Sequence, residues 1–485
     1  MPGICASGCY VPRYRLNRGL IYKATGWLNA GNIGNAKGEK AVANHDEDSV
    51  TMAVAAARNA LQTVNGLNVN GVYFASTTMP YKERLNAGII TTAVGLPDQV
   101  IAADFGGGLK AGTTAMLSAL DGIKAGSVDN LLVCAAECRL GKPSSPQELI
   151  FGDAAAAFVL GTDDVIAEFK GSYSLTCDFG DHYRGAQAVF DRQWEDRWIR
   201  DVGVEKFIPE VINGLLEKYE IQLSDFAKVI YDCQYAAARK SLNKKLGITP
   251  EMEQTHYQAQ IGQSGTAQSL LMLAGALEEA NPGDKILVVS FGSGCDALYF
   301  EVTDNIRKMA DNKPVTAALA NRAELDNYTK YLTWRGILPM ELGLRAEEDL
   351  WTRYSAYWRV RKTVLGLYGT QCKACGTPQF PLHRICVNPE CGEVDQMAPY
   401  RFADRPGKVA SYTGDMLAAS YNPPAIYGQI IFEGGGKYMF DLTDCDLDEL
   451  ETGMPVRMSF RRRYHDKKRG ISGYFWKAVP FREVK

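Results

Sequence analysis

Residues 106–135 read GGGLKAGTTAMLSALDGIKAGSVDNLLVCA. Three glycines make a loop without side chains. Ala111–Ala125 then carries small and apolar residues at helical spacing, and Asn130–Ala135 is a short apolar run of strand length. A helix followed at once by a buried strand is the building unit of an α/β sheet. The same order recurs outward from this stretch. Before it, helix Ser49–Gln62 precedes strand Gly71–Ser76; after it, strand Ala154–Leu160 closes the half. In a second round, helix Val204–Tyr219 precedes strand Lys228–Tyr231. Helix Ala267–Ala280 then precedes strand Lys285–Ser290, and strand Asp296–Val302 closes that half. The expectation is a duplicated α/β unit, with halves at 1–170 and 171–345, two mainly parallel sheets and helices packed between them. Ligands of such folds bind beyond the carboxyl ends of the strands. Here those are the segments after Ser76 and Tyr231 and the loops entering the two central helices.

The texture then changes. Cys372-x2-Cys375, ten residues, and Cys386-x4-Cys391 place four thiols on two short turns, each followed by a glycine, Gly376 or Gly392. Four thiolates complete a tetrahedral zinc shell, so a structural zinc ribbon is expected within a helix-and-ribbon segment at 346–398. Beyond it, Gly407–Thr413, Ala425–Phe432, Tyr438–Leu442 and Pro455–Arg462 read as strands between Gly, Pro, Asn and Asp turns. About five short strands at 399–485 fit a small barrel of OB type. Its run Arg457, Arg461, Arg462, Arg463, Lys467, Lys468 and Arg469 is a solvated face or a phosphate site.

Of 485 residues, 46% are apolar and 22% charged, enough for a large core, and the net charge of −3 argues against a dedicated nucleic-acid binder. No apolar run reaches the roughly 18 residues of a membrane helix. The start Met1-Pro2-Gly3-Ile4-Cys5 has no basic-then-apolar leader, and the eight cysteines outside the ribbon follow no disulfide pattern, so a cytoplasmic protein is expected.

Certain motifs carry a resemblance. These are Gly8-Cys9-Tyr10-Val11-Pro12-Arg13-Tyr14-Arg15, Met79-Pro80-Tyr81, Lys110-Ala111-Gly112-Thr113, Phe291-Gly292-Ser293-Gly294 and the run from Tyr328 to Gly336. In them the first 340 or so residues resemble the thiolase superfamily, and within it hydroxymethylglutaryl-CoA synthases of the archaeal and bacterial kind. The remainder resembles the acyl-CoA-associated zinc-ribbon/OB-fold family, whose relatives accompany thiolases, condensing synthases and thiolase-like aldolases. The resemblance implies a duplicated five-layer thiolase-like fold and an acyl-CoA ligand. It also implies a catalytic set: a cysteine at a helix N-terminus, a histidine aided by an asparagine, and a glutamate acid/base.

Carried over motif by motif, the cysteine position is Leu109, the glutamate position Thr77, the histidine position Asp232 and the asparagine position Gln263. Leucine forms no thioester, threonine is no base near neutral pH, and aspartate has the wrong charge to stabilise an oxyanion. Cys134 and Cys138 read as packing residues. Cys233 is expected to face away from Asp232 by strand alternation, which leaves Cys295 as the thiol nearest the active face. His256, just before Gly262-Gln263, is a better histidine substitute than His182. Trp194 and Trp198 are expected on one helix face. The leading expectation is a non-catalytic subunit: a homodimer of the synthase-like part within a hetero-oligomer. A thiolase-type partner would do the chemistry, and Arg461, Arg462, Arg463, Lys467 and Lys468 would neutralise CoA phosphates. The alternative is an active synthase-like or retro-aldol enzyme without an acyl-cysteine step, with Asp232 as general base.

Overall fold

In this computed structural model residues 1–64, 66–348 and 350–482 are described, and they fall into two units. The first comprises Met1–Ala43, Asp48–Gly88 and Gln99–Tyr331; the second comprises Asn44–Glu47, Ile89–Asp98 and the chain from Leu332 onward.

In the first unit, Ala111–Lys124 and Gln268–Glu279 are the central helices. From Gln268 to Leu277 every residue of the second is buried. A helix apolar on all sides belongs inside a core. Both helices share one cluster with Val133 and Phe158 of the first half and Ile286, Val288, Leu298 and Phe300 of the second. The alternate residues Leu287 and Val289 face the opposite side and meet Val211, Ile212 and Leu215 of helix Ile208–Tyr219. The period of two along Lys285–Phe291 therefore divides an inner helix layer from an outer one. This is the expected thiolase-like layering.

Strand Gly71–Ala75 pairs in parallel with Ile101–Phe105 and Leu131–Glu137, and Lys228–Tyr231 pairs in parallel with Lys285–Phe291. The two sheets expected from the sequence join at one edge: Gly3 pairs with Glu168 and Ile4 with Ala167, so hydrogen bonding runs through nine strands. A Cβ on Gly3 would lie 2.3 Å from the Ala167 carbonyl oxygen, so only glycine permits this approach.

One helix departs from expectation. A turn at Asp196–Trp198 passes into a π-helical stretch, Ile199–Phe207, and then into Ile208–Tyr219. Trp194 precedes this run and is exposed, whereas Trp198 stacks on Phe179 with centroids 4.0 Å apart. The two tryptophans do not share a helix face, because the helix begins between them.

In the second unit, Tyr368–Cys372 pairs with Pro378–Gln379 and with Met397–Arg401 to form the ribbon sheet. Five strands follow, in the order Lys437–Asp441, Ala425–Phe432, Gly407–Asp415, Pro455–Asp466, Ile471–Pro480. A parallel bridge from Leu442 to Ala478 brings the two edges together, giving a closed OB-type barrel. Among the described residues no helix is long and apolar enough to cross a membrane.

Candidate functional site

The glycine loop ahead of the first central helix ends at Leu109, with Lys110 as the capping residue. Lys110 Nζ lies 2.9 Å from Asp296, which also accepts hydrogen bonds from the hydroxyls of Thr113 and Thr114. The hairpin turn at Gly292 lies directly against this loop. A Cβ on Gly292 would come within 2.7 Å of the Leu109 nitrogen and 2.9 Å of the Lys110 nitrogen. Two loops from the two halves of the fold thus meet backbone to backbone, as expected at the carboxyl ends of the strands.

There they enclose a cavity of about 50 Å³, room for a few waters or the short end of a ligand. Leu109, Asp232 and Gln263 all line it, so three of the four positions singled out by sequence converge. Gln263 and Gln258 donate their side-chain amides to the two oxygens of Asp232, the latter at 3.0 Å. Burial raises the Asp232 pKa; the two amides and nearby Arg139 and Arg239 oppose the shift without cancelling it. Leu109 presents no heteroatom.

Thr77, the fourth position, is not among the residues that line the cavity. Its backbone N–H and hydroxyl donate to Glu137 at 2.6 and 3.0 Å, and Thr78 and Thr266 add hydroxyl donors at 3.2 and 2.9 Å. Glu137 is fully buried at the end of strand Leu131–Glu137, and burial raises its pKa. Threonine at 77 therefore serves as a donor to this carboxylate.

Cys233 also lines the cavity, against the alternation argument. The strand ends at Tyr231, so Asp232 and Cys233 lie beyond the pleat that would have separated them. Burial pushes the Cys233 thiol up to about 12. Cys295, expected near the active face, is buried in strand Gly294–Val302, opposite Phe291 and Leu175. Of the two histidines, His182 lines the cavity, not His256. His256 is buried with its ring edge-on to Tyr231 and 3.4 Å from Glu253. His182 stands on a short hairpin, paired with Gln193, and its Nδ1 is 3.2 Å from Asp181. Sequence reasoning passed over Asp181, although it is the immediate neighbour of His182.

A second cavity of about 410 Å³ adjoins the first, with Gln234 and Tyr235 lining both. Its wall includes Arg18, Arg200 and Ala236, Ala237 and Ala238, the first residues of helix Ala236–Leu246, whose N-cap Tyr235 makes no side-chain capping bond. Arg18 is 8% exposed, its Nε has no hydrogen-bond partner, and no carboxylate pairs with it among the described residues. Burial lowers it to about 10, so it is still cationic at neutral pH.

The basic run of the barrel is divided. Arg461, expected at phosphates, is 2% exposed, with its guanidinium held by Asp46 at 3.1 Å, Glu47 at 2.9 Å and Asp444. A cation surrounded by three carboxylates in the interior is not available to a phosphate. Arg462 is half-buried and donates to the His45 carbonyl, whereas Arg463, Lys467 and Lys468 are exposed. In the ribbon, the sulfurs of Cys372, Cys375, Cys386 and Cys391 all lie within 4.8 Å of one another, with 3.8 Å between Cys372 and Cys391 and 3.5 Å between Cys375 and Cys386. A tetrahedral ion with bonds of about 2.3 Å spaces its ligands about 3.8 Å apart, so the four fit such a metal.

Comparison with known proteins agrees with this fold. The hydroxymethylglutaryl-CoA synthase of Methanocaldococcus jannaschii is 32% identical over 355 residues, covering 70% of this chain and 100% of that protein. The synthase of Archaeoglobus fulgidus is 33% identical over 345 residues, covering 69% and 98%. Residues 400–461 match the family described as the C-terminal OB-fold domain of ChsH2. Among solved structures, an HMG-CoA synthase complexed with CoA aligns with a TM-score of 0.60 at 14% identity, over 83% of this chain and 100% of that one. MvaS in complex with 3-hydroxy-3-methylglutaryl coenzyme A aligns with a TM-score of 0.59 at 18% identity, over 70% and 92%. At these identities the structural likeness establishes the fold.

Proposed function

This chain belongs to the hydroxymethylglutaryl-CoA synthase family, and from that premise we propose that it binds an acyl-CoA thioester without forming an acyl-enzyme. It would be one subunit of an acyl-CoA carbon–carbon bond complex, with thiolase-type acyl transfer residing in a partner chain. The observation that carries this reading is Leu109 in the cavity wall, at the position where the family resemblance puts the nucleophilic cysteine. The one cysteine of that wall, Cys233, has a thiol at about 12 and supplies almost no thiolate at neutral pH.

The two adjoining cavities support the ligand. A buried Arg18, which donates to the Lys37 and Gln258 carbonyls but has no carboxylate partner among the described residues, Arg200 and an uncapped helix N-terminus suit phosphate oxygens, while the inner cavity suits a short acyl end. Arg18 and Arg200 thus take the role expected of Arg461, and Arg463, Lys467 and Lys468 are left as a secondary basic surface of the barrel. Zinc, held by Cys372, Cys375, Cys386 and Cys391, would be structural, because four thiolates leave no open position. We place the synthase-like part as a homodimer within a hetero-oligomer.

Intact-mass measurement after incubation with acetyl-CoA tests the central point. The wild-type chain is expected to bind acetyl-CoA by calorimetry yet gain no acetyl adduct, and Leu109→Cys is expected to gain one. An adduct on the wild type that disappears in Cys233→Ser overturns the reading. Co-purification with a thiolase-type chain bearing an intact cysteine tests the partner.

A further inference from the structure

Leu109 removes acyl transfer from the cavity, yet three ionisable side chains remain on its wall: Asp181, His182 and Asp232. Asp181 is 5% exposed. One of its oxygens faces His182 Nδ1 at 3.2 Å, and the other, Oδ1, is buried without a hydrogen-bond partner. A buried carboxylate with half its accepting capacity unused favours a positive charge beside it, so it steadies the imidazolium that forms when His182 takes a proton. It also fixes the ring, leaving Nε2 as the other nitrogen. Asp232 is anchored by Gln258 and Gln263, and the Gln263 side-chain oxygen is itself engaged by the Gly265 N–H at 3.2 Å. Each acid–base group is thus held by a neighbour that does no chemistry, as a preorganised site requires.

We infer that the cavity cleaves a β-hydroxyacyl-CoA by a retro-aldol step, with His182 as the base on the hydroxyl and Asp232 as the acid that protonates the α carbon. The inference rests on the acyl-CoA reading above. His182 removes the hydroxyl proton, the oxygen's electron pair forms the carbonyl, and the bond between the α and β carbons breaks. Its electrons pass into the thioester enolate, which takes its proton at carbon from Asp232. His182 then releases a proton to solvent and Asp232 regains one, so the net change is isomeric: one β-hydroxyacyl thioester gives one ketone or aldehyde and one acyl-CoA. No water, oxidant or covalent enzyme intermediate is needed. That is the carbon–carbon chemistry open to a site whose nucleophile position is leucine. A carboxyl group kept protonated by burial is suited to enolate stabilisation, and Asp232 is shifted in that direction. Asp181 is a positioning residue.

The test uses the full chain with two probes, 3-hydroxybutyryl-CoA and 3-hydroxy-3-methylglutaryl-CoA. Both would release acetyl-CoA, with acetaldehyde and acetoacetate as the respective second products, read by mass spectrometry. The wild type is expected to cleave at least one. His182→Gln is expected to lose about 100-fold or more in kcat with acetyl-CoA binding unchanged, and Asp232→Asn to fall similarly. Asp181→Asn is expected to lower kcat about tenfold with KM and acetyl-CoA binding unchanged, because the ring loses the partner that orients it. Binding of acetyl-CoA without cleavage of either probe overturns this inference and leaves the binding reading intact. Failure to bind any acyl-CoA overturns both. Cleavage that survives His182→Gln overturns the assignment of the base.

Discussion

Two ionisable groups are buried by opposite means. Arg461 is surrounded by carboxylates, and removing one partner from a buried ionic cluster typically costs about 3–5 kcal/mol because the remaining charges stay behind. Arg461→Met is therefore expected to destabilise the second unit by that order in a denaturant titration, whereas Arg463→Met, at an exposed site, changes it by less than about 0.5 kcal/mol. His256 instead remains neutral. Burial and the nearby Arg239 lower its pKa from 6.5 to about 3. The unfolded chain then binds the proton first as pH falls, so stability drops progressively below pH 6.5 and the loss is complete near pH 3. The full effect is on the order of 5 kcal/mol. Melting curves of the wild type and His256→Gln at pH 7 and 5 check the sign: the wild type loses more on acidification. Neither fate is written next to the residue. The partners Asp46 and Glu47 lie more than 400 positions before Arg461, and a basic run on a strand reads the same whether it faces water or carboxylates.

Among elements, those bounded by turn residues and of one periodicity were legible. Lys228–Tyr231 and Ala425–Phe432 stand where hydrophobic pattern and flanking breakers put them. The strand Ile471–Pro480 was harder, because Gly473 interrupts its alternation and its buried Trp476 needs Leu365 of a distant helix to accept its indole N–H. At the site, alternation misplaced Cys233 because a strand's end is not visible in a run of four residues. The contact between Gly292 and the Leu109 loop offers an element-level prediction. Gly292→Ala forces a methyl against backbone that has no rotamer to change, so a cost of about 1–3 kcal/mol is expected. Acyl-CoA affinity, read by calorimetry, is expected to weaken in parallel with the fall in melting temperature.

For the whole molecule, duplication and the change of texture after residue 345 made the order of folds readable, and the converging loops followed from the duplication. The acid–base content of the cavity did not, because His182 and Asp181 reach it on a hairpin with no periodic signal. The binding logic that results has a metric consequence. The two cavities share Gln234 and Tyr235 in their walls. On the proposed acyl-CoA reading, a ligand held by Arg18 at one end and presented to Asp232 at the other would be measured by the protein: the span between phosphate and carbonyl would become a ruler. An acyl group on a full pantetheine arm is expected to bind more tightly by calorimetry than the same group on a truncated thiol, which has nothing to hold at the far end. The enclosure thus selects the carrier before it selects the cargo.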